Sequence, residues 1–192
     1  MIIRSGFDPA DQDRIVELYW DAFGAKLGRV MRPTTKAHQF IASVLDPTHA
    51  ISAYDEGDVL LGVAGFKTYQ GALVGGTFRE LATVYGTLGA GWRAGLLALL
   101  ERDTENARFL MDGIFVAPAA RGHGVGTALL DATIAEARTR GYAEVRLDVI
   151  DSNRRARALY ERVGFEAKDT QQLGPLRHIF GFKSATTMVR AV

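Results

Sequence analysis

The chain has 192 residues, 47% hydrophobic and 23% charged, which is enough to bury a sizeable core and is expected to form one domain over 1–192. Its 23 basic and 22 acidic residues leave a net charge of +1 with no block of one sign, so nothing calls for nucleic acid or a charged membrane surface as partner. The absence of cysteine excludes disulfides, thiolate metal sites and a cysteine nucleophile, and His38, His49, His123 and His178 fall into no metal-ligand spacing, so no metal is expected.

No apolar run approaches the ~20 residues of a membrane span. Met1-Ile-Ile-Arg4 reads as a short strand rather than a signal peptide, and a cytoplasmic protein is expected. Residues 9–23 carry Ile15, Leu18, Tyr19, Ala22 and Phe23 at helical spacing behind Asp8-Pro9, a cap followed by a first-turn proline. Two glycines, a proline and Lys26, Arg29 and Arg32 then predict an exposed loop over 24–35, before a second helix at about 35–45. Strands at 50–54 and 59–69 flank a polar turn and form a hairpin.

Residues 71–108 read as an insertion packed over the sheet or as a dimer contact. Helical pieces are expected at 78–85 and 92–101, separated by Gly86, Gly89 and Gly91. Leu96, Leu97, Leu99 and Leu100 are too crowded for one stripe, so the second piece is expected to be buried on more than one side. Residues 109–116 form the central strand; plain alternation places Asp112, Ile114 and Val116 on one face and Met111, Gly113 and Phe115 on the other. A helix over 124–140 stopped by Gly141, and a strand at 144–150, complete a parallel strand-helix-strand unit. Asp151-Ser152-Asn153 opens another helix ending at Gly164, and strands at 165–167 and 185–189 close the chain around an apolar patch at 179–182.

Between the central strand and the next helix stand Gly122, Gly124 and Gly126. Backbone N–H groups free of side-chain bulk at a helix N-terminus suit a phosphate or pyrophosphate. A P-loop requires a lysine after the last glycine, where this chain has Thr127, so that reading fails. A dinucleotide fold matches in part through Gly122, Gly124 and Asp148, but Thr127 stands at its third glycine, and residues 118–121 separate strand from turn.

The run Arg121-Gly122-His123-Gly124-Val125-Gly126 instead resembles the Q/R-x-x-G-x-G/A signature of the GNAT superfamily of acyl-CoA-dependent N-acetyltransferases. The run from Asn153 through Ala156, Leu159, Tyr160 and Gly164 to Phe165 resembles that superfamily's N-x-x-A-x-x-L-Y-x-x-x-G-F pattern. Together the motifs span about 112–165. The resemblance implies an α/β (mixed α+β) GNAT fold, a central, mostly antiparallel mixed sheet with a splayed parallel strand pair, flanked by helices.

It implies acetyl-CoA as acyl donor, no metal, and an amine on a small molecule or peptide as acceptor. By the same resemblance, backbone groups of Ile114, Phe115 and Val116 hold the pantetheine arm, while N–H groups of Arg121, Gly122, His123, Gly124, Val125, Gly126 and Thr127 meet the pyrophosphate. Arg121 reads equally as a phosphate contact or a surface residue, and the His123 side chain is expected to face solvent. Ala156 leaves room for the cofactor; Asn153 serves as helix cap, pantetheine contact or both.

Tyr160, with an ordinary phenol pKa near ~10, is the candidate proton donor to the departing thiolate, its alternative being a packed tyrosine with a surface hydroxyl. Asp112 is the candidate general base or amine anchor, its alternative a structural carboxylate. Its side chain is shorter than the glutamate commoner in the family, which favours action through water. Glu80, Tyr85 and Glu101 are further acceptor-side candidates. The insertion is expected to cover the acceptor side and set specificity, and its apolar pieces, with the 179–182 patch, allow a homodimer. The alternative function is a GNAT-fold module that binds acyl-CoA without turnover.

Overall fold

The chain runs β1 (Ile2–Ser5), α1 (Gln12–Met31), α2 (Thr34–Val44), β2 (Ala50–Tyr54), β3 (Leu60–Thr68), β4 (Gly71–Ala72), α3 (Phe78–Tyr85) and α4 (Thr87–Ala98), then β5 (Phe109–Val116), α5 (Val125–Thr139), β6 (Glu144–Ile150), α6 (Arg154–Arg162), β7 (Glu166–Gln172), α7 (Arg177–Phe180) and β8 (Ser184–Ala191). This is a computed structural model, and it describes residues 1–98 and 107–192. The strands form one sheet in the order β1-β2-β3-β5-β6-β8-β7, with β4 added to β3. All neighbours are antiparallel except β5 and β6. The expected fold class, a mostly antiparallel mixed sheet with one parallel pair and flanking helices, is the one observed. Among the described residues no helix is long and apolar enough to cross a membrane.

The parallel pair is short. Only Phe109 with Val145 and Leu110 with Arg146 are in register, although β5 has 8 residues and β6 has 7. Beyond Leu110 the two strands diverge. The closed end is held by the core: Phe109 is fully buried and packs on Phe66 (centroids 5.0 Å apart) and on Tyr142 (5.4 Å). Burying such a side chain contributes about 1.5–3 kcal/mol, so the junction of the strands is anchored at that end.

Helix α1 corrects the expected loop over 24–35. Asp8 caps the preceding 3-10 turn at Ala10 N (2.9 Å), as its position before Pro9 predicts, but the helix then continues through both glycines to Met31. Trp20 lies along the helix surface, where a Cβ on Gly24 would come within 3.0 Å of its ring. Glycine there accommodates the indole instead of ending the helix. Val30 and Met31 are buried, and the turn to Pro33 stops the helix.

The insertion also differs from expectation. Gly86 (φ 74°) ends α3 with a positive φ that favours glycine, but Gly89 and Gly91 lie inside α4 rather than before it. Leu81, Val84, Tyr85 and Ala90 share a core cluster with Val16, Met31, Phe40 and Ile41, so this segment packs on α1 and α2. Leu99, Leu100 and Glu101 lie outside the described residues. The apolar patch at 179–182 is internal: Phe180 and Phe182 are buried with Val30, Leu173 and Ala185, which removes that patch as a reason to expect a dimer.

Candidate active site

Strand β5 carries a bulge at Asp112. Gly65 of β3 lies opposite Gly113 and Phe66 lies opposite Met111, which leaves Asp112 as the extra residue. The alternation expected along the strand is therefore broken. Met111 lies opposite Phe66, whose ring sits under Arg140 just past the end of α5, whereas Gly113 faces α1, where a Cβ would meet the Phe23 ring at 2.5 Å. Asp112 is exposed and lines a cavity together with Tyr19 of α1, so it does not share the setting of Ile114 and Val116. The bulge re-aims this carboxylate.

Past the bulge, Ile114 and Val116 pair with Ala64 and Gly62 of β3, while no ladder joins them to β6. Backbone groups on that edge face a cavity of about 670 Å³ lined by Ile114, Phe115, Val116, the turn after β5 and the outward side of α6. Gly122 (φ 88°) and Gly124 (φ 81°) adopt left-handed backbone with open space where a Cβ would stand. Gly126 serves close approach instead: a Cβ there would lie 3.0 Å from Leu159 of α6. The first N–H groups of α5 have no carbonyl one turn back within the helix. The glycines, the unpaired strand edge and the small Ala156 on the far wall fit an extended, phosphate-bearing thioester cofactor.

The expected cofactor residues are distributed unevenly. Arg121, Gly122, Gly124, Val125, Gly126, Thr127, Asn153 and Ala156 line this cavity. His123 does not; it lines a separate surface depression with Asp11 and Asp55. Arg121 donates from Nε to Val116 O (3.0 Å), so its guanidinium is tied to the end of β5. Asn153 caps α6 by accepting from Ala156 N (3.2 Å), the first of its two expected roles. Tyr160 is 6% exposed, packs on Phe165 (6.0 Å between centroids) and does not line the cavity, although Ala156 and Leu159 beside it do. Burial holds its phenol protonated well above the usual tyrosine range.

A second cavity, about 660 Å³, opens on the α1 side of β5. Leu110, Met111 and Asp112 line it from β5, and Trp20, Met31, Phe40, Ile41, Val44 and Val74 give it apolar walls. Tyr19 stacks edge-on against Phe115 (5.8 Å), and its ionisation is pushed far up by burial and then by the negative charge of Asp112. Gly71, Gly76, Thr77 and Leu97 bring the insertion into this wall. His49 is buried behind Gly71, bonded through Nδ1 to Asp46 (2.8 Å) and through Nε2 to Thr68 (2.9 Å), which fixes the end of β3 against the turn before β2.

Sequence reasoning missed these wall residues because apolar groups at helical spacing read as core. Of the further acceptor-side candidates, Glu80 closes a capping box with Thr77, and the Tyr85 hydroxyl donates to Met31 O. Both are used in holding the insertion, and Glu101 lies outside the described residues. Among the described residues no group of three or more His, Asp or Glu converges on a metal-sized site.

The sequence model described as the Acetyltransferase (GNAT) family matches residues 13–165. An uncharacterized N-acetyltransferase of Methanocaldococcus jannaschii is 46% identical over 56 residues, 29% of this chain and 25% of that protein. A mycothiol acetyltransferase of Beutenbergia cavernae is 50% identical over 50 residues, 26% of this chain and 17% of that protein. The match thus spans a quarter or less of either relative. A GCN5-related N-acetyltransferase from Kribbella flavida superposes over 100% of this chain and 97% of its own with a TM-score of 0.66 at 18% identity, a likeness of fold.

Proposed function

We propose, since this chain belongs to the acetyltransferase (GNAT) family, that it transfers an acetyl group from acetyl-CoA to a primary amine by direct attack in a ternary complex. The observation that carries this reading is the divergence of β5 from β6 after two residue pairs, with the glycine turn and α6 at the opening. Bound acetyl-CoA would supply an acyl group activated as a thioester. Backbone groups of Ile114, Phe115 and Val116 on the edge away from β3 hold the pantetheine arm and orient the acyl carbonyl. The N–H groups of residues 121–127 meet the pyrophosphate, and His123 contributes through its backbone only.

Asp112 receives the amine side of the reaction. An alkylamine with a pKa near ~10.4 must lose a proton before it attacks, and the bulge sets the carboxylate beside the cavity through which an acceptor would approach. Tyr160 is assigned the proton that the departing thiolate takes up, and burial keeps that proton on the phenol at neutral pH. Its place outside the cavity favours one other reading, a module that binds acyl-CoA without turnover.

Calorimetric titration with acetyl-CoA, beside NADH and ATP, tests the cofactor. Acetyl-CoA alone is expected to bind saturably, and Ala156→Phe, which fills the cavity from a helix without straining the backbone, is expected to abolish that binding while leaving the melting transition in place. Uptake of NADH in place of acetyl-CoA would overturn the proposal.

A further inference from the structure

We infer that Arg155 and Arg162 of α6 form a subsite for the ribose 3′-phosphate of the coenzyme, so that the donor is recognised as a complete coenzyme A thioester and not through its pantetheine arm and pyrophosphate alone. The inference rests on the acetyl-transfer reading and concerns the donor alone. Charge is the first observation. The cavity on the glycine-turn side is lined by Arg121, Arg155 and Arg162 and, among the described residues, by no acid. In the α1-side cavity three acids, Asp46, Asp112 and Asp148, stand beside three bases, Lys26, Lys67 and Arg146. The first cavity therefore draws an anion, and the second has no net preference.

The second observation is that the fold does not use these two arginines. Both are exposed, and among the described residues neither has an ion-pair or hydrogen-bond partner. Arg157 on the same helix is the contrast: it donates from Nε to Glu161 (2.9 Å) and does not line the cavity. Arg121 is already tied to Val116 O.

Placement is the third. Arg155, Leu159 and Arg162 stand four and then three residues apart, so they share one face of α6. A Cβ on Gly126 would meet Leu159 at 3.0 Å, so the start of α5 touches α6 between the two arginines. They lie two helical turns apart, roughly 10 Å along the axis, a gap that two extended arginine side chains can close around one phosphate. The glycine turn meets the pyrophosphate through main-chain N–H groups, which leaves the side-chain cations for a further phosphate. Coenzyme A carries one, a ribose monoester that is mostly a dianion at neutral pH, and a guanidinium presents paired N–H donors in the geometry that phosphate oxygens accept.

The test is calorimetric titration with acetyl-CoA and with 3′-dephospho-acetyl-CoA. Hydrogen bonds to a charged group should make the wild-type protein prefer acetyl-CoA by at least about tenfold. In the double variant Arg155→Gln, Arg162→Gln that ratio is expected to fall close to one, through weaker binding of acetyl-CoA with binding of the dephospho compound little changed. Each single substitution should take part of the loss. Arg157→Gln, outside the cavity, should keep the wild-type ratio. All three positions are exposed, so the melting transition should stay in place. Added salt should lower the ratio in the wild-type protein and not in the double variant. A wild-type ratio near one, a double variant that keeps the preference, or equal loss of both thioesters would overturn the subsite and leave the acetyl-transfer reading standing. Failure of acetyl-CoA to bind at all would overturn both.

Discussion

The two cavities that border β5 are nearly equal in volume, about 670 Å³ on the glycine-turn side and about 660 Å³ on the α1 side, but they are built from different material. The first comes from two short stretches, 114–127 and 153–162, with seven glycines and alanines in its lining and Ala22 the one contribution from elsewhere. The second is mainly side chains, drawn from α1, α2, β3, the insertion, β5 and β6. A site that works through main-chain groups leaves a pattern of glycines at fixed spacing. One that works through apolar walls has the composition of any interior.

The largest expected effect sharpens this contrast on the backbone side. Tyr160→Phe removes one hydroxyl from a residue packed against Phe165, and as the loss of a general acid it should lower kcat roughly 10²- to 10⁴-fold. Acetyl-CoA affinity measured by calorimetry should change little, because the proton is needed only as the thiolate departs. An unchanged kcat would assign the proton transfer to another donor.

The same contrast accounts for what was legible in the sequence. Strands β5 and β6 and the start of α6 stand where periodicity and capping residues put them, because each is decided by its own few residues. The glycines at 122, 124 and 126 were equally readable, although they serve two purposes: the first two supply left-handed backbone and the third lets α6 approach. Asp112 was identified as a residue but not in its orientation. A bulge is set by the register of β3 against β5, and single-strand alternation carries no information about the partner strand. Trp20 explains the misread loop in the same way. Gly24 and Gly28 look like breakers until the indole of Trp20, one and two turns earlier, lies along their surface.

On the acceptor side a smaller effect is expected from Gly76→Ala. A Cβ there would lie 2.5 Å from Cζ of Phe40, the far end of a side chain that lines the cavity. The ring must shift, at a cost of about 1–3 kcal/mol in stability. Urea unfolding should register that loss, and KM for the amine acceptor should rise. Acetyl-CoA affinity should stay constant. A matching loss of acetyl-CoA affinity would mean that the two cavities are not independent.

The smallest effect separates the two sides by pH. Tyr19 belongs to the acceptor side and Tyr160 to the α6 side, and burial raises the pKa of both above the unfolded value near ~10. Below that value each phenol is protonated whether the chain is folded or not, so the stabilisation is fully present. As pH rises past it, the unfolded chain releases the proton first, and stability falls by at most about 1.4 kcal/mol per pH unit for each group until the folded value is reached. Urea midpoints between pH 9 and 11.5 should therefore decline, and Tyr160→Phe and Tyr19→Phe should each make the decline shallower. For Tyr19 part of the shift comes from Asp112, so in Asp112→Asn the ultraviolet titration of the tyrosines should show one phenol ionising at lower pH, with the contribution of Tyr160 as it was. If Asp112→Asn moved no tyrosine titration, the carboxylate would not face Tyr19 in solution, and its assignment to the amine would lose its geometric basis.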